Sequence, residues 1–375
     1  MNIFTESYLN KKVIVTGHTG FKGSWLSQWL LSLGAEVYGI SLPLSKESIL
    51  FETLGNESKI KNYYFDIRDK TKVEQTIIAI EPDYIFHMAA QPLVIESYAD
   101  PIGTYETNVM GTIHILNALQ MLAKLNDNSG KKCAAVFVTT DKCYLNIEQN
   151  ISYREDDKLG GFDPYSSSKA ATELAISSFR NSFFKFDKNL NIGIASARAG
   201  NVIGGGDWAK DRIIPDVIRS IRANSKIEVR NPYSKRPWQH VLDPLGGYLL
   251  LGSEIHKHLQ TNDIQTLRKI CSSFNFGPSV QSNFPVIDLV NDICKNVGAF
   301  IKISDRKGQF HEAKLLNLCS DKAWHLLGWS PVWDYIESVK HTAYWYEHEL
   351  DFSGAPKSIT SEQISQFISD AGYII

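Results

Sequence analysis

Two clusters of polar residues have the types and spacing for chemistry. The first is Thr140-Asp141-Lys142 with Tyr144 close behind, ending the apolar run Val136-Phe137-Val138. A hydroxyl, a carboxylate, an ammonium and a phenol there stand at the carboxyl end of a buried strand. Open parallel α/β sheets place their ligands at such ends, so the cluster suits chemistry better than packing. The second is Tyr165 with Lys169, in Asp163-Pro164-Tyr165-Ser166-Ser167-Ser168-Lys169. Four residues apart, the two share one face of a helix. An ammonium beside a phenol favours the phenolate, so Lys169 is expected to lower Tyr165 from its ordinary pKa of about 10. Tyr165 would then serve as a base near neutrality. The spacing is common on helices, and its weight comes from the elements around it.

Those elements alternate. Residues 12–16 form an apolar strand, followed at once by the glycine turn Gly17, Gly20, Gly23, with Thr19 and Phe21 between them. A helix over 24–33 follows, with Gly34 as its C-cap, and then a second strand over 36–40. Strand, glycine turn, helix and strand make a right-handed βαβ unit. Glycines without Cβ atoms let backbone approach a pyrophosphate, and the helix start offers it free N–H groups. Further strands are expected over 63–65, 83–87, from 136 and over 191–197, and long helices from about 104 to 124 and from Pro164 to about 184. The fold class is therefore α/β, a Rossmann-type doubly wound parallel sheet. From Arg198 the pattern becomes irregular, beginning with the glycine-rich run 199–208. It reads as a smaller, interleaved C-terminal α/β substrate domain, closed by amphipathic helices near 286–297 and 333–350. The division is 1–198 for the dinucleotide-binding domain, 199–350 for the substrate domain and 351–375 for a polar surface appendage.

Composition narrows the function. The chain has 375 residues, 43% hydrophobic and 21% charged, enough for a packed core. A net charge of −2 gives no footprint for nucleic acid or an anionic membrane surface. No N-terminal signal pattern and no bilayer-length apolar run are present. The five scattered cysteines fit a reduced, cytoplasmic setting, and no Cys-x-x-Cys pair suggests a metal, so none is expected.

The glycine spacing with Thr16 and Phe21 resembles the extended short-chain dehydrogenase/reductases. Within them, residues 16–23, 140–142, 160–169, 200–208, 236–240 and 274–278 resemble the nucleotide-sugar 4,6-dehydratases, nearest the CDP-sugar branch. His311-Glu312-Ala313 and 327–331 belong to the same likeness, which covers nearly the whole chain. The resemblance implies NAD, held by Gly17, Thr19, Gly20, Phe21 and Gly23. Ser41 stands where an acidic residue usually holds the adenosine ribose. Asp66 and Ile67 would meet the adenine, and Ala89, Ala90, Asn108, Tyr165 and Lys169 complete the site. Read without the likeness, Asp66 is equally a helix cap and Asn108 a surface residue.

The implied chemistry starts at the sugar's C4 hydroxyl, whose proton Tyr165 removes while Thr140 hydrogen-bonds the oxygen. The resulting ketone acidifies C5. Lys142, where related dehydratases carry a glutamate base, acts there as amine base or as enolate-stabilising ammonium. Asp141 gives a proton to the departing C6 hydroxyl. Asn201 and Arg236 would hold the diphosphate and Glu312 the ribose, with Arg212 either a further substrate ligand or half of a surface ion pair. Pairing of the two long helices into a homodimer is also implied. A related 4-epimerase would share Tyr165 without needing Asp141 or Lys142, and a non-catalytic dinucleotide sensor would need neither Tyr165 nor Lys169.

Overall fold

The apolar β-branched runs become strands buried on both faces, as parallel sheets require. The structure, a computed structural model, describes residues 3–46, 48–186, 191–299, 303–306, 315–351 and 353–373. Its main sheet contains β1 (Lys12–Thr16), β2 (Glu36–Ser41), β3 (Lys61–Tyr64), β4 (Tyr84–His87), β5 (Cys133–Val138), β6 (Ile192–Ala199) and β7 (Ser273–Phe276). Their order is β7-β6-β5-β4-β1-β2-β3, and every neighbouring pair is parallel. The order reverses between β1 and β4, which opens a crevice at the carboxyl ends of those strands. This is the doubly wound sheet expected from the alternation.

The long helices are α1 (Phe21–Ser32), α2 (Lys70–Ile80), α3 (Gly111–Ser129), α4 (Pro164–Phe183), α5 (Leu242–Gln260), α6 (Tyr335–His348) and α7 (Ala355–Asp370). The two-residue period of a strand sorts β1 between two cores. Ile14 joins Ile77, Leu119, Phe137 and Ile194 on the face of α2 and α3. Val13 and Val15 join Trp25, Trp29 and Leu249 on the face of α1 and α5. Asp163 starts α4 as its N-cap, accepting from the Ser166 amide at 2.9 Å, with Pro164 in the first turn. Gly34, at φ 77, lies just past the end of α1 in the left-handed conformation anticipated for it.

The smaller lobe is built from short pieces. Lys235–Pro237 pairs antiparallel with Asn283–Pro285, and Ile227–Arg230 pairs parallel with Ile303–Arg306. β7 comes from residues after 199 and extends the main sheet.

Two expectations are corrected. Residues after 351 are no surface appendage: α7 buries Ile359, Ile364 and Phe367 in the main core, and Gln28 donates to Ser361 at 2.9 Å. Sparse apolar residues all turned to one face were enough to pack it. The helix expected over 104–124 is three segments, Pro101–Tyr105, a π turn over Glu106–Met110, and α3. A Cβ on Gly111, at the end of that turn, would lie 2.5 Å from Ile67 Cδ1, so the Ile67 side chain packs into the space that this glycine leaves.

One buried acid gives the core a pH dependence. Asp243 on α5 is fully buried; Oδ1 accepts from the Val332 amide at 2.6 Å, and Oδ2 has no partner among the described residues. Burial pushes its pKa up to about 7, against about 3.9 in an unfolded chain. Its stabilising neutral form is fully present below the unfolded value and is lost as pH rises through the folded one. Between the two, stability falls by roughly 1.4 kcal/mol per pH unit from this group. The melting temperature of the parent minus that of Asp243→Asn should therefore fall from pH 5 to pH 8. A pH-independent difference would contradict this.

Candidate active site

A cavity of ≈ 1110 Å³ runs across the carboxyl ends of the central strands, large enough for a dinucleotide beside a second ligand. Gly17, Thr19, Gly20, Phe21, Gly23, Ser41, Asp66, Ile67, Ala89 and Ala90 line one part of it. Thr140, Asp141, Lys142, Tyr165, Lys169, Asn201, Arg212 and Arg236 line the rest. The exceptions among the expected site residues are Asn108, which lies behind the wall, and Glu312, which falls outside the described residues with His311.

The glycine turn fits a diphosphate. A Cβ at Gly23 would stand 2.0 Å from the Gly17 carbonyl oxygen, and one at Gly17 would stand 2.9 Å from the Ala89 nitrogen. The N-cap Gly20 has no side chain to occupy the first-turn amides of α1, which leaves them for an anion. Asp66 accepts from Arg68 Nη2 at 2.7 Å; burial pushes against its charge, yet the Arg68 guanidinium and amide hold its carboxyl below the usual range. It does not cap the next helix, a role taken by Asp69.

A directed chain holds the Met88–Ala90 turn. The Thr16 hydroxyl accepts from the Met88 and Ala89 amides, each at 3.0 Å, and bonds His87 Nδ1 at 2.8 Å. His87 Nε2 lies 3.0 Å from Thr112 Oγ1, which donates to the Asn108 carbonyl at 2.7 Å. That donation leaves Thr112 as the acceptor from His87, so the network assigns the proton to Nε2. Burial lowers His87 to about 3 and keeps it neutral. The Asn108 side chain, inside the π turn, accepts from the Gln91 amide at 2.8 Å and donates to Ser168 at 2.9 Å. Asn108 therefore ties the turn at Gln91 to α4 without facing the cavity.

At the chemical end, Thr140 donates to Asp141 Oδ1 at 2.9 Å, and Lys142 Nζ lies 3.5 Å from both Asp141 Oδ1 and Asn201 Oδ1. A Cβ on Gly200 would sit 2.9 Å from Asp141 Oδ2, so that glycine makes room for the carboxylate. The expected lowering of Tyr165 is outweighed. Burial pushes its phenol up to about 12, against the downward pull of the Thr140 hydrogen bond and the Arg212 guanidinium. Lys169 is lowered by burial to about 8, with Glu173 acting the other way. Arg212 is ion-paired to Asp207 at 3.0 Å while still lining the cavity.

Beneath these groups lies an ion pair that the sequence reading missed. Glu173, two turns beyond Tyr165 on α4, is fully buried and accepts from Thr139, Ser196, Arg198 and Ser273. Arg198 meets it at 2.8 Å, and Arg198 Nη1 also donates to the Tyr144 hydroxyl at 2.8 Å. Burial opposes both charges, yet their attraction holds Glu173 below and Arg198 above their ordinary values. The signal available was Glu173 four residues beyond Lys169, on the same helical face.

The sequence matches the GDP-mannose 4,6 dehydratase family over residues 14–342. It is 42% identical over 364 residues, 96% of each chain, to the CDP-glucose 4,6-dehydratase of Salmonella typhimurium. The fold is similar to that of an epimerase from Methanothermobacter thermautotrophicus, with a TM-score of 0.76 and 21% identity, covering 97% of this chain and 96% of that one. It is also similar to dTDP-glucose 4,6-dehydratase from Streptomyces venezuelae with NAD bound, with a TM-score of 0.74 and 20% identity, covering 89% and 96%.

Replacing Glu173 by Gln leaves Arg198 buried without its counter-charge. The variant should lose about 3–5 kcal/mol of stability in chemical denaturation. A loss under 1 kcal/mol, on the scale of about what an exposed pair contributes, would show that the network does not hold the strand ends.

Proposed function

Because the chain belongs to the GDP-mannose 4,6-dehydratase family, we propose that it is an NAD-dependent nucleotide-sugar 4,6-dehydratase, a hydro-lyase. Its substrate is CDP-glucose and its products are CDP-4-keto-6-deoxyglucose and water. The observation that carries the reaction type is the presence of Asp141 and Lys142 beside Tyr165 in one cavity. Oxidation alone needs a base and a hydride acceptor, whereas loss of water needs a further acid. The choice of sugar nucleotide rests on the relative sharing 42% identity over 96% of the chain.

NAD, when bound, would supply a hydride acceptor and donor for C4 and C6, with no net change in its own oxidation state. The protein's part is positioning and proton transfer. Gly17, Gly20 and Gly23 admit the diphosphate, Asp66 and Ile67 border the adenine, and Ser41 and Lys169 reach the riboses. Thr140 hydrogen-bonds the C4 oxygen while Tyr165 takes its proton, and the positive charge of a bound nicotinamide would favour the phenolate against the burial that opposes it. The ketone makes the C5 proton acidic, and Lys142 acts on the C5 side. Asp141 protonates the C6 hydroxyl as it leaves, so one proton passes from Tyr165 to Asp141 through solvent in each cycle. Arg212 and Arg236, whose guanidinium geometry suits phosphate oxygens, hold the substrate diphosphate together with the Asn201 amide, and Glu312 the ribose.

The surroundings fit this role. Among the described residues no helix is long and apolar enough to cross a membrane, and we place the enzyme in the cytoplasm, making deoxysugar precursors of surface polysaccharides such as O-antigen. Exposed Ile102, Met110, Met121, Leu125 and Leu174 lie on the helices that would pair in a homodimer, which light scattering measures directly.

The deciding experiment supplies CDP-, dTDP-, UDP- and GDP-glucose with NAD and follows products by NMR. CDP-glucose should give the 4-keto-6-deoxy sugar. A C4-inverted sugar would instead favour an epimerase, and no product from any substrate would overturn the proposal. Asp141→Asn should still oxidise C4 but lose water about 100-fold more slowly or worse.

A further inference from the structure

The two guanidiniums assigned to the substrate diphosphate come from separate stretches of chain. Arg212 follows the glycine-rich run, and Arg236 lies on Lys235–Pro237, beyond the turn that ends the strand Ile227–Arg230. Both line the cavity, and so do Asp211 and Arg230, which the proton steps do not use. A clamp on two linked phosphates needs its arginines at a set separation, so the two stretches need a tie.

Asp211 and Arg230 supply one. Arg230 Nη2 donates to the Asp211 carbonyl at 3.1 Å and lies 3.3 Å from Asp211 Oδ1. One nitrogen thus grips both backbone and side chain of the residue before Arg212. Backbone conformation marks the same place. Asp211 is left-handed at φ 61, and Asn231, the residue after Arg230, is left-handed at φ 48. Outside glycine that conformation persists where the surroundings impose it, and it concentrates at ligand sites. Ile227 and Val229 point into the core, so the two-residue period turns Arg230 to the cavity side with Glu228. Beyond Asn231 the Ser234 amide donates to the Asn231 carbonyl at 3.0 Å and the Ile287 amide to the Pro232 carbonyl at 2.9 Å, which pins the turn leading to Arg236. On the other side Asp207 holds Arg212 at 3.0 Å. The side chains of Arg230 and Asp211 are 26% and 51% exposed, and a pair so open to water contributes little to stability. Placement is what it can give.

Resting on the dehydratase reading above, we propose that Asp211 and Arg230 are positioning residues that set Arg212 and Arg236 as a clamp for a nucleoside diphosphate. Neither acts on the reacting carbons. Breaking their contact frees the Arg212 turn from the segment that carries Arg236. The cost falls on holding two phosphates at once, whereas a monophosphate, which one arginine can hold, loses much less.

The test compares the parent with Arg230→Met, Asp211→Asn and the double variant. Asparagine tolerates the left-handed backbone and removes the charge. Calorimetry measures binding of CDP and of CMP, and steady-state kinetics follows CDP-glucose with NAD. Arg230→Met should bind CDP about 10-fold more weakly and CMP within about twofold of the parent. Its KM should rise while kcat changes by less than about twofold. Asp211→Asn should shift the same quantities the same way by a smaller factor, and the double variant should lose no more than Arg230→Met alone, because the pair acts as one unit. Equal losses for CDP and CMP would overturn the proposal, as would unchanged CDP affinity in Arg230→Met. Additive losses in the double variant would overturn it by making Arg230 a substrate ligand in its own right. A lowered melting temperature with an unchanged ratio of CDP to CMP affinity would leave the contact merely structural. A parent that binds CDP yet forms no 4-keto sugar would remove the dehydratase reading, while the binding measurements still decide the clamp.

Discussion

The contact between Glu173 and Arg198 is the constraint on which the site depends. Glu173 collects donors from β6, from the start of β7 and from Thr139 just past β5, while its helix carries Tyr165 and Lys169. A pair this deeply buried adds little net stability over well-packed apolar residues. Its effect is geometric. A carboxylate with four donors admits few alternative placements, so the strand end that carries Thr140 and Asp141 is set relative to the helix that carries Tyr165 and Lys169. Arg198 extends the tie to Tyr144 and to the Glu155 carbonyl, at 2.9 Å.

Burial then does most of the electrostatic work above that frame. The same scarcity of water raises Tyr165 and lowers Lys22 and Lys169, moving each toward its neutral form. Phenol and amines of nearly equal ordinary basicity are thereby driven apart, the phenol holding its proton more tightly and the amines less. Lys22, Lys142, Lys169, Arg212 and Arg236 line the cavity interleaved with carboxylates such as Asp66, Asp141, Asp163 and Asp207, so any attraction for a diphosphate is local to the cations that face it.

What could be read from the sequence was whatever depends on short-range pattern. Apolar runs gave the strands, the glycine spacing gave the turn, and Tyr165 with Lys169 showed one helical face. The π turn carried no local mark in the sequence, and the packing of Ile67 beside Gly111 at its end joins residues far apart in the chain. The role of Asn108 was hidden with it. The direction of the Tyr165 shift depended on burial, which spacing does not report. In α7, apolar residues are too few to stand out until their common face meets α1. Glu173 carried a visible cue, its spacing from Lys169, but its partner Arg198 comes from a strand 25 residues later and became its partner only in the folded sheet.

The packing of α7 on α1 bears on how the protein is made. Trp29 of α1 stacks edge-on against Phe367 at 5.7 Å, and Trp345 of α6 donates to Thr360 at 2.9 Å. During synthesis the glycine turn and its helix emerge well before α7, whose Phe367 covers part of Trp29. Until α7 follows, that part of the aromatic surface lacks its cover, and exposed apolar surface in an incomplete chain invites misassembly. A chain cut before Ala355 would keep Thr140, Asp141, Tyr165 and Lys169 yet leave one side of the helix behind the glycine turn uncovered.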